Sequence, residues 1–314
     1  MLLAILGIIL GLAVLTYAAD QFVIGAARLA MVLRLSSVVV GAVVIGFGTS
    51  APEMLVSALA AVQGKLDLAV GNIVGSNAAN LTLVLGAAAL VTPIAVRSPV
   101  LKREAPLSLL SVVAFAFLVQ RGVSWVEGTI LAGLLVVSLT IIIYSSRAGD
   151  SELSAEVEEF LEGSRPSTRR EGIRTLLGLL GTLGAAQLLV VSATTIATEI
   201  GLAEGFVGFT IVAIGTSLPE LATAIQAARK GETDLIIGNL LGSNLFNSAA
   251  VGATAAFAGA GQVADPILTG PGVSIMVAVA VIATAFMVTG RRVVRWEAGV
   301  LIAGYVAVLP LLAG

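Results

Sequence analysis

The stretch GTSAPE at residues 48–53 returns as GTSLPE at residues 215–220, each inside a run apolar enough to cross a membrane. Proline cannot donate a backbone hydrogen bond and interrupts a helix. An ionised side chain at the bilayer centre costs at least ~2.5–3.5 kcal/mol. A chain that places Gly, Pro and Glu together in hydrocarbon twice, 167 residues apart, is using them. Intramembrane carboxylates point by default to a functional site.

The composition fits that setting. Of 314 residues, 58% are apolar and 11% charged, with a mean hydropathy of +1.06. A soluble domain carries roughly a quarter charged residues, so this is the composition of a membrane protein. There is no cysteine and no histidine. Disulfides, thiolate metal sites, haem ligation and imidazole acid–base chemistry are excluded. The first apolar run lacks a basic leader and a small-residue cleavage site, so it reads as a retained helix.

A transmembrane helix needs about 20 mostly apolar residues. On that rule ten spans are expected, near 2–24, 37–62, 67–92, 105–120, 124–144, 173–197, 206–228, 234–258, 266–289 and 296–313. The odd-numbered loops between them hold 15 of the 17 Lys and Arg, and the even loops only Lys65 and Arg121. The positive-inside rule then places the odd loops in the cytoplasm and both termini outside. The expected location is the cytoplasmic membrane.

Residues 41–80 align without a gap to 208–247, with 17 identities in 40 positions. The identities fall on Gly, Pro and polar residues, among them Gly48/Gly215, Pro52/Pro219, Glu53/Glu220, Asn72/Asn239, Ser76/Ser243 and Asn80/Asn247. Each copy covers two spans, and corresponding spans lie five apart, so the copies cross the bilayer in opposite directions. Inverted repeats with interrupted helices at matching positions point to a secondary transporter with its site near the midplane. The expected organisation is an all-α membrane protein of two inverted five-helix halves, 1–144 and 173–314, with broken helices at the midplane. A polar cytoplasmic linker, 145–172, joins them, with a short helix expected over 151–162.

The Pro residues predict breaks around Thr49–Ser50 and Thr216–Ser217. Unwound backbone is tolerated at that depth only where it lines protein or a water-filled cavity. The stretches GNIVGSNAAN and GNLLGSNLFN extend the same expectation, giving four broken helices in all. Ser50-x-x-Glu53 and Ser217-x-x-Glu220 also fit the capping box that restarts a helix, but Gln would cap without the cost of a charge. For the Asn residues, helix–helix hydrogen bonding is the plainer alternative.

Two buried carboxylates that face each other repel unless protons or a cation lie between them. The available ligands are all hard oxygens, which suit Ca²⁺ and Na⁺ rather than zinc or copper. Two carboxylates match the charge of one divalent cation and supply up to four of the six to eight oxygens that Ca²⁺ takes. Na⁺ could use the same oxygens plus hydroxyls, and competition for one site is a basis for exchange.

The paired motifs GTSAPE…GNIVGSNAAN and GTSLPE…GNLLGSNLFN resemble the two alpha-repeats of the calcium/cation antiporter superfamily, and among its branches the prokaryotic sodium/calcium exchangers. The resemblance implies that Glu53 and Glu220 are the central calcium ligands, with backbone carbonyls of Thr49 and Thr216. It implies that Ser50, Ser217, Ser76 and Ser243 serve flanking sodium sites near the carbonyls of Gly46 and Ala213. Asn80 and Asn247 would line the middle. Some relatives, including potassium-dependent exchangers, have Asp at the last position, so Asn247 implies independence from K⁺. Ca²⁺ and Na⁺ are then transported ligands; no cofactor, nucleic acid or obligatory protein partner is implied.

A proton-coupled antiporter for Ca²⁺ or another cation stays open, since Glu53 and Glu220 could carry protons. A channel is disfavoured because the two-fold relation is internal to one chain. Enzymatic activity is not expected, since an intramembrane hydrolase would need a better base beside Ser than Glu.

Overall fold

The computed structural model describes residues 1–32, 50–96, 98–146, 167–231 and 233–312. The expected linker helix over 151–162 and the candidate residues Gly46 and Thr49 lie outside them. The described chain is helical apart from its turns and one two-stranded antiparallel pair, Ile94–Ala95 with Arg292–Val293.

Among the described residues, seven helices are long and apolar enough to cross a membrane: Leu2–Ala26, Leu66–Val91, Leu101–Arg121, Trp125–Ile142, Thr168–Ile200, Pro266–Gly290 and Arg295–Leu312. An eighth is the pair Glu204–Thr216 and Leu218–Arg229, bent by 42° at the break. Of the expected span 37–62, only the apolar helix Ala51–Val62 is described. The segment 233–258 is helical throughout. Leu2, Leu3, Phe117, Leu177, Val306 and Leu311 are exposed on the helix surfaces. Water would not favour such a surface, whereas acyl chains match it.

Inside this apolar shell lies a polar centre. Ser50, Glu53, Ser57, Asn72, Ser76, Asn77, Asn80, Thr216, Ser217, Glu220, Ser243, Asn244, Asn247 and Ser248 are all buried. Polar side chains turned inward while Leu, Val and Phe face outward reverse the pattern of a water-soluble protein.

The break expected at Thr216–Ser217 is present, between helices Ala213–Thr216 and Leu218–Lys230. Its counterpart at Ser50 is a turn that leads into helix Ala51–Val62. Each half-helix has Pro in its first turn. Gly64 and Gly231, a repeat pair that follows them, adopt the same left-handed φ of 73° and 79°, which side chains with a Cβ rarely tolerate.

The breaks expected in the two GSN stretches are absent. Helix runs through Leu66–Ala79 and Thr233–Phe246 and widens into π-helical turns at Asn80–Val84 and Asn247–Val251. With no proline there, no backbone donor is removed and the helix has no reason to stop. The first pair of glycines allows close approach instead. A Cβ on Gly75 would fall 2.2 Å from the Phe209 carbonyl oxygen, and one on Gly71 would fall 2.3 Å from that of Gly205. Small residues let helix backbones touch in a membrane. A third π-helical turn, Gly208–Val212, lies against this contact. Its Phe209 carbonyl accepts from the Tyr305 hydroxyl at 3.5 Å, and the two rings stack.

Candidate functional site

Glu53 and Glu220 occupy the third position of their half-helices, after Ala51-Pro52 and Leu218-Pro219. The positive end of each half-helix therefore meets a carboxylate. Both Glu residues are 0% exposed. Ser50 and Ser217 sit at the N-caps, yet neither side chain makes a capping bond. The capping-box reading does not describe these residues. Ser217 Oγ instead donates to Glu53 Oε1 at 3.4 Å, joining the two copies of the motif. Ser243 Oγ donates to Glu220 Oε1 at 3.5 Å.

The helix Leu66–Ala79 supplies the next layer. Asn72 Nδ2 donates to Ser57 Oγ at 2.9 Å and to the Glu53 carbonyl at 3.4 Å, while its Oδ1 accepts from Thr216 Oγ1 at 3.2 Å. Asn80 Nδ2 donates to Asn244 Oδ1 at 3.2 Å, and Asn244 Nδ2 to the Asn77 carbonyl at 3.0 Å. Ser248 Oγ donates to Asn77 Oδ1 at 3.3 Å. Four of these bonds cross between sequence segments more than 140 residues apart. The repeats thus meet through their polar side chains as well as their apolar ones.

Several polar atoms here have no hydrogen-bond partner among the described residues: Ser50 Oγ, Ser76 Oγ, Glu53 Oε2, Asn80 Oδ1 and both amide atoms of Asn247. An unpaired buried polar group costs about 1–3 kcal/mol. A concentration of such groups is tolerated where a ligand uses them. They are oxygens for the most part, the donor type that hard cations prefer. Among the described residues no three Asp or Glu side chains cluster to hold a resident metal.

Of the sequence candidates, hydrogen bonds tie Ser217 to Glu53, Ser243 to Glu220, Thr216 to Asn72 and Asn80 to Asn244, while Ser50, Ser76 and Asn247 are buried. The Ala213 carbonyl is already shared by the Ser217 amide at 3.1 Å and the Thr216 hydroxyl at 3.3 Å. Ser57 and Ser248 were absent from the sequence candidates, because their repeat counterparts are Ala224 and Leu81. Helical spacing could have found Ser57, which lies one turn after Glu53 on the same face. Asn72, Asn77 and Asn244 were visible as repeated polar residues, but only the structure distinguishes their bonds from ordinary helix contacts.

Residues 3–144 and 173–313 match the family model described as sodium/calcium exchanger protein. The inner membrane protein YrbG of Escherichia coli (strain K12) is 38% identical over 286 residues, covering 90% of this chain and 88% of the relative. The sodium/calcium exchanger MaX1 of Methanosarcina acetivorans is 30% identical, and the match covers 97% of each chain. Among solved structures, the sodium-calcium exchanger NCX_Mj superimposes with a TM-score of 0.65 at 30% identity, covering 98% of both chains. With the paired motifs, the buried carboxylates between them and a match along nearly the whole sequence, the chain belongs to the sodium/calcium exchanger protein family.

Proposed function

We propose that this protein is a secondary active antiporter that exchanges Na⁺ for Ca²⁺ across the cytoplasmic membrane by alternating access to one central site. The observation that carries the proposal is the pair of fully buried carboxylates, Glu53 and Glu220, the first bonded to Ser217 of the opposite repeat and the second to Ser243. Two negative charges at this depth call for positive charge between them. A divalent ion supplies it in one particle, and sodium ions could supply it in several.

In this reading Glu53 and Glu220 hold Ca²⁺, with the carbonyls of Thr49 and Thr216. Ser50, Ser217, Ser76 and Ser243 serve Na⁺ with Gly46 and Ala213, and Asn80 and Asn247 line the middle. The test is Ca²⁺ uptake into proteoliposomes under an imposed Na⁺ gradient, with a pH gradient as the control. Uptake indifferent to Na⁺ but driven by the pH gradient would favour proton coupling instead. On the same preparation, Ser→Ala changes at the four serines should raise the Na⁺ concentration needed for half-maximal exchange several-fold and disturb Ca²⁺ binding less. A hydroxyl is one neutral ligand, on which Na⁺ relies proportionally more than a divalent ion held by two carboxylates. Uptake should not require K⁺, because the Asn247 amide adds no charge for a further monovalent ion. A K⁺ requirement would remove Asn247 from this role.

The proposed architecture is ten transmembrane helices in two inverted halves, 1–144 and 173–314, with both termini outside and 145–172 in the cytoplasm. The loop contacts support it. Ile94 pairs with Val293 in the short strands, and Val123 pairs with Gly261 in an isolated bridge. The repeat offset carries residue 94 onto 261 and brings 123 close to the counterpart of 293. A two-fold axis in the membrane plane would relate the two contacts and place them at opposite ends. Cysteines introduced at Lys65 and Ser154 should label from opposite sides of the membrane. Same-side labelling would overturn this topology.

A further inference from the structure

We propose that Asn244 is a positioning residue for the ion site, whose amide turns that of Asn80 so that Asn80 Oδ1 is held ready as a neutral cation ligand. The inference rests on the reading of Asn80 as a residue that lines the ion site. Asn80 and Asn244 are 0% exposed and Asn77 is 1% exposed, so water is not there to replace a bond that is lost.

An amide acquires a fixed direction from a partner that can only accept or only donate. A backbone carbonyl accepts and cannot donate. Asn244 Nδ2 donates to the Asn77 carbonyl at 3.0 Å. Turning this amide over would set oxygen against oxygen, so Asn244 Oδ1 points away from that carbonyl. There it accepts from Asn80 Nδ2 at 3.2 Å. An amide oxygen also accepts only, so Asn80 must keep its nitrogen on this side. Its own oxygen is directed away from Asn244, where it is buried and has no hydrogen-bond partner among the described residues. Two acceptor-only groups in series thus decide the direction of a third. Asn244 lies on helix Thr233–Phe246, while Asn77 and Asn80 lie at the end of helix Leu66–Ala79 and in the π-helical turn that follows it. The packing of the two repeats therefore aims the oxygen.

The matching residues are bonded differently. The offset of 167 residues pairs Asn77 with Asn244 and Asn80 with Asn247. Asn77 Nδ2 donates to the Ile73 carbonyl of its own helix at 2.8 Å, and its Oδ1 accepts from Ser248 Oγ at 3.3 Å. Neither bond reaches the Asn247 side chain, and both amide atoms of Asn247 have no hydrogen-bond partner among the described residues. Asn80 presents an oxygen in a set direction, whereas the Asn247 amide is free to present either end. Preorganisation lowers what binding must spend on ordering the ligands. Without Asn244, the Asn80 amide could turn its donor hydrogens to where the cation belongs. Binding would then have to turn it back.

The test is a double-mutant cycle on Ca²⁺ affinity, with purified protein in Na⁺-free buffer and thermal unfolding measured with and without saturating Ca²⁺. Asn244→Leu keeps the branched shape and removes both bonds. It should raise the Ca²⁺ dissociation constant about fivefold to tenfold, the worth of one hydrogen bond, and shrink the unfolding increment that Ca²⁺ adds. Asn80→Ala, which removes the ligand itself, should weaken binding at least as much. The double variant should bind no more weakly than Asn80→Ala, because Asn244 acts only through an oxygen that is already gone. If Asn244→Leu does not fold, Asn244→Ala completes the same cycle without the bulk. Losses that multiply in the double variant would make Asn244 a packing residue alone and overturn the inference. So would wild-type affinity in the Asn244 variant, or a lowered ion-free unfolding temperature with an unchanged Ca²⁺ increment. Failure of the calcium reading itself would appear in the wild type, which would then bind no Ca²⁺, and the inference would fall with it.

Discussion

Glu53→Gln and Glu220→Gln should each lower Ca²⁺ exchange by about a hundredfold or more while the protein still folds. Removing one partner of a buried charge pair costs about 2–5 kcal/mol. Here the missing partner would leave a divalent ion facing one carboxylate in a site closed to water. Gln keeps the length of the side chain and its hydrogen bonding, so Ser217 and Ser243, which donate to Glu53 and Glu220, retain an acceptor. The protein should become easier to fold in the absence of ions, because one ionisable group fewer has to be buried. The checks are Ca²⁺ flux in proteoliposomes and gel filtration of the same sample. Near-normal flux in both variants would mean that the S-x-x-E motif serves only the local helix geometry.

Gly75→Ala should be nearly as damaging, by another route. Its Cβ would lie 2.2 Å from the Phe209 carbonyl oxygen and 2.6 Å from the Ala213 Cβ. Backbone cannot swing aside as a flexible side chain can, so the helices Leu66–Ala79 and Glu204–Thr216 must separate. Overpacking typically costs about 1–3 kcal/mol. Here the displacement also reaches Asn72 and Thr216, whose bond at 3.2 Å links the two repeats. We expect a clear fall in unfolding temperature in detergent together with weaker Ca²⁺ binding. Gly133→Ala is the control, because a Cβ there meets nothing within 4 Å among the described residues. In a helix interior that change should stabilise by about 0.5–1 kcal/mol. Equal behaviour of the two variants would show that the close approach at Gly75 is not required.

Membrane residence, the repeat and its two carboxylates are legible in the sequence because each follows from local composition. Hydrocarbon selects apolar residues over a fixed length, so spans appear as runs. It penalises charge, so Glu53 and Glu220 stand out, and an offset of 167 residues makes them a pair. The break at Ser217 was equally legible, since proline acts on its own turn of helix. The GSN stretches misled because glycine has two uses, and only a neighbour decides between them. Gly71 and Gly75 permit a helix contact, while the expected interruption becomes a π-helical widening at Asn80 and Asn247. Hydrogen-bond direction was likewise beyond the sequence. Ser50 and Ser217 satisfy the same motif, yet Ser217 reaches the carboxylate of the opposite repeat. The motif fixes which atoms can bond, but the partner depends on which helices pack side by side. Ser57, with no counterpart in the second repeat, gains its place in the site only when Leu66–Ala79 packs against Ala51–Val62 and brings Asn72 within 2.9 Å. Composition and repetition thus determined the environment and the charged centre. Tertiary packing decided the orientation of the neutral ligands, because an amide or hydroxyl acquires a direction only from the groups it meets.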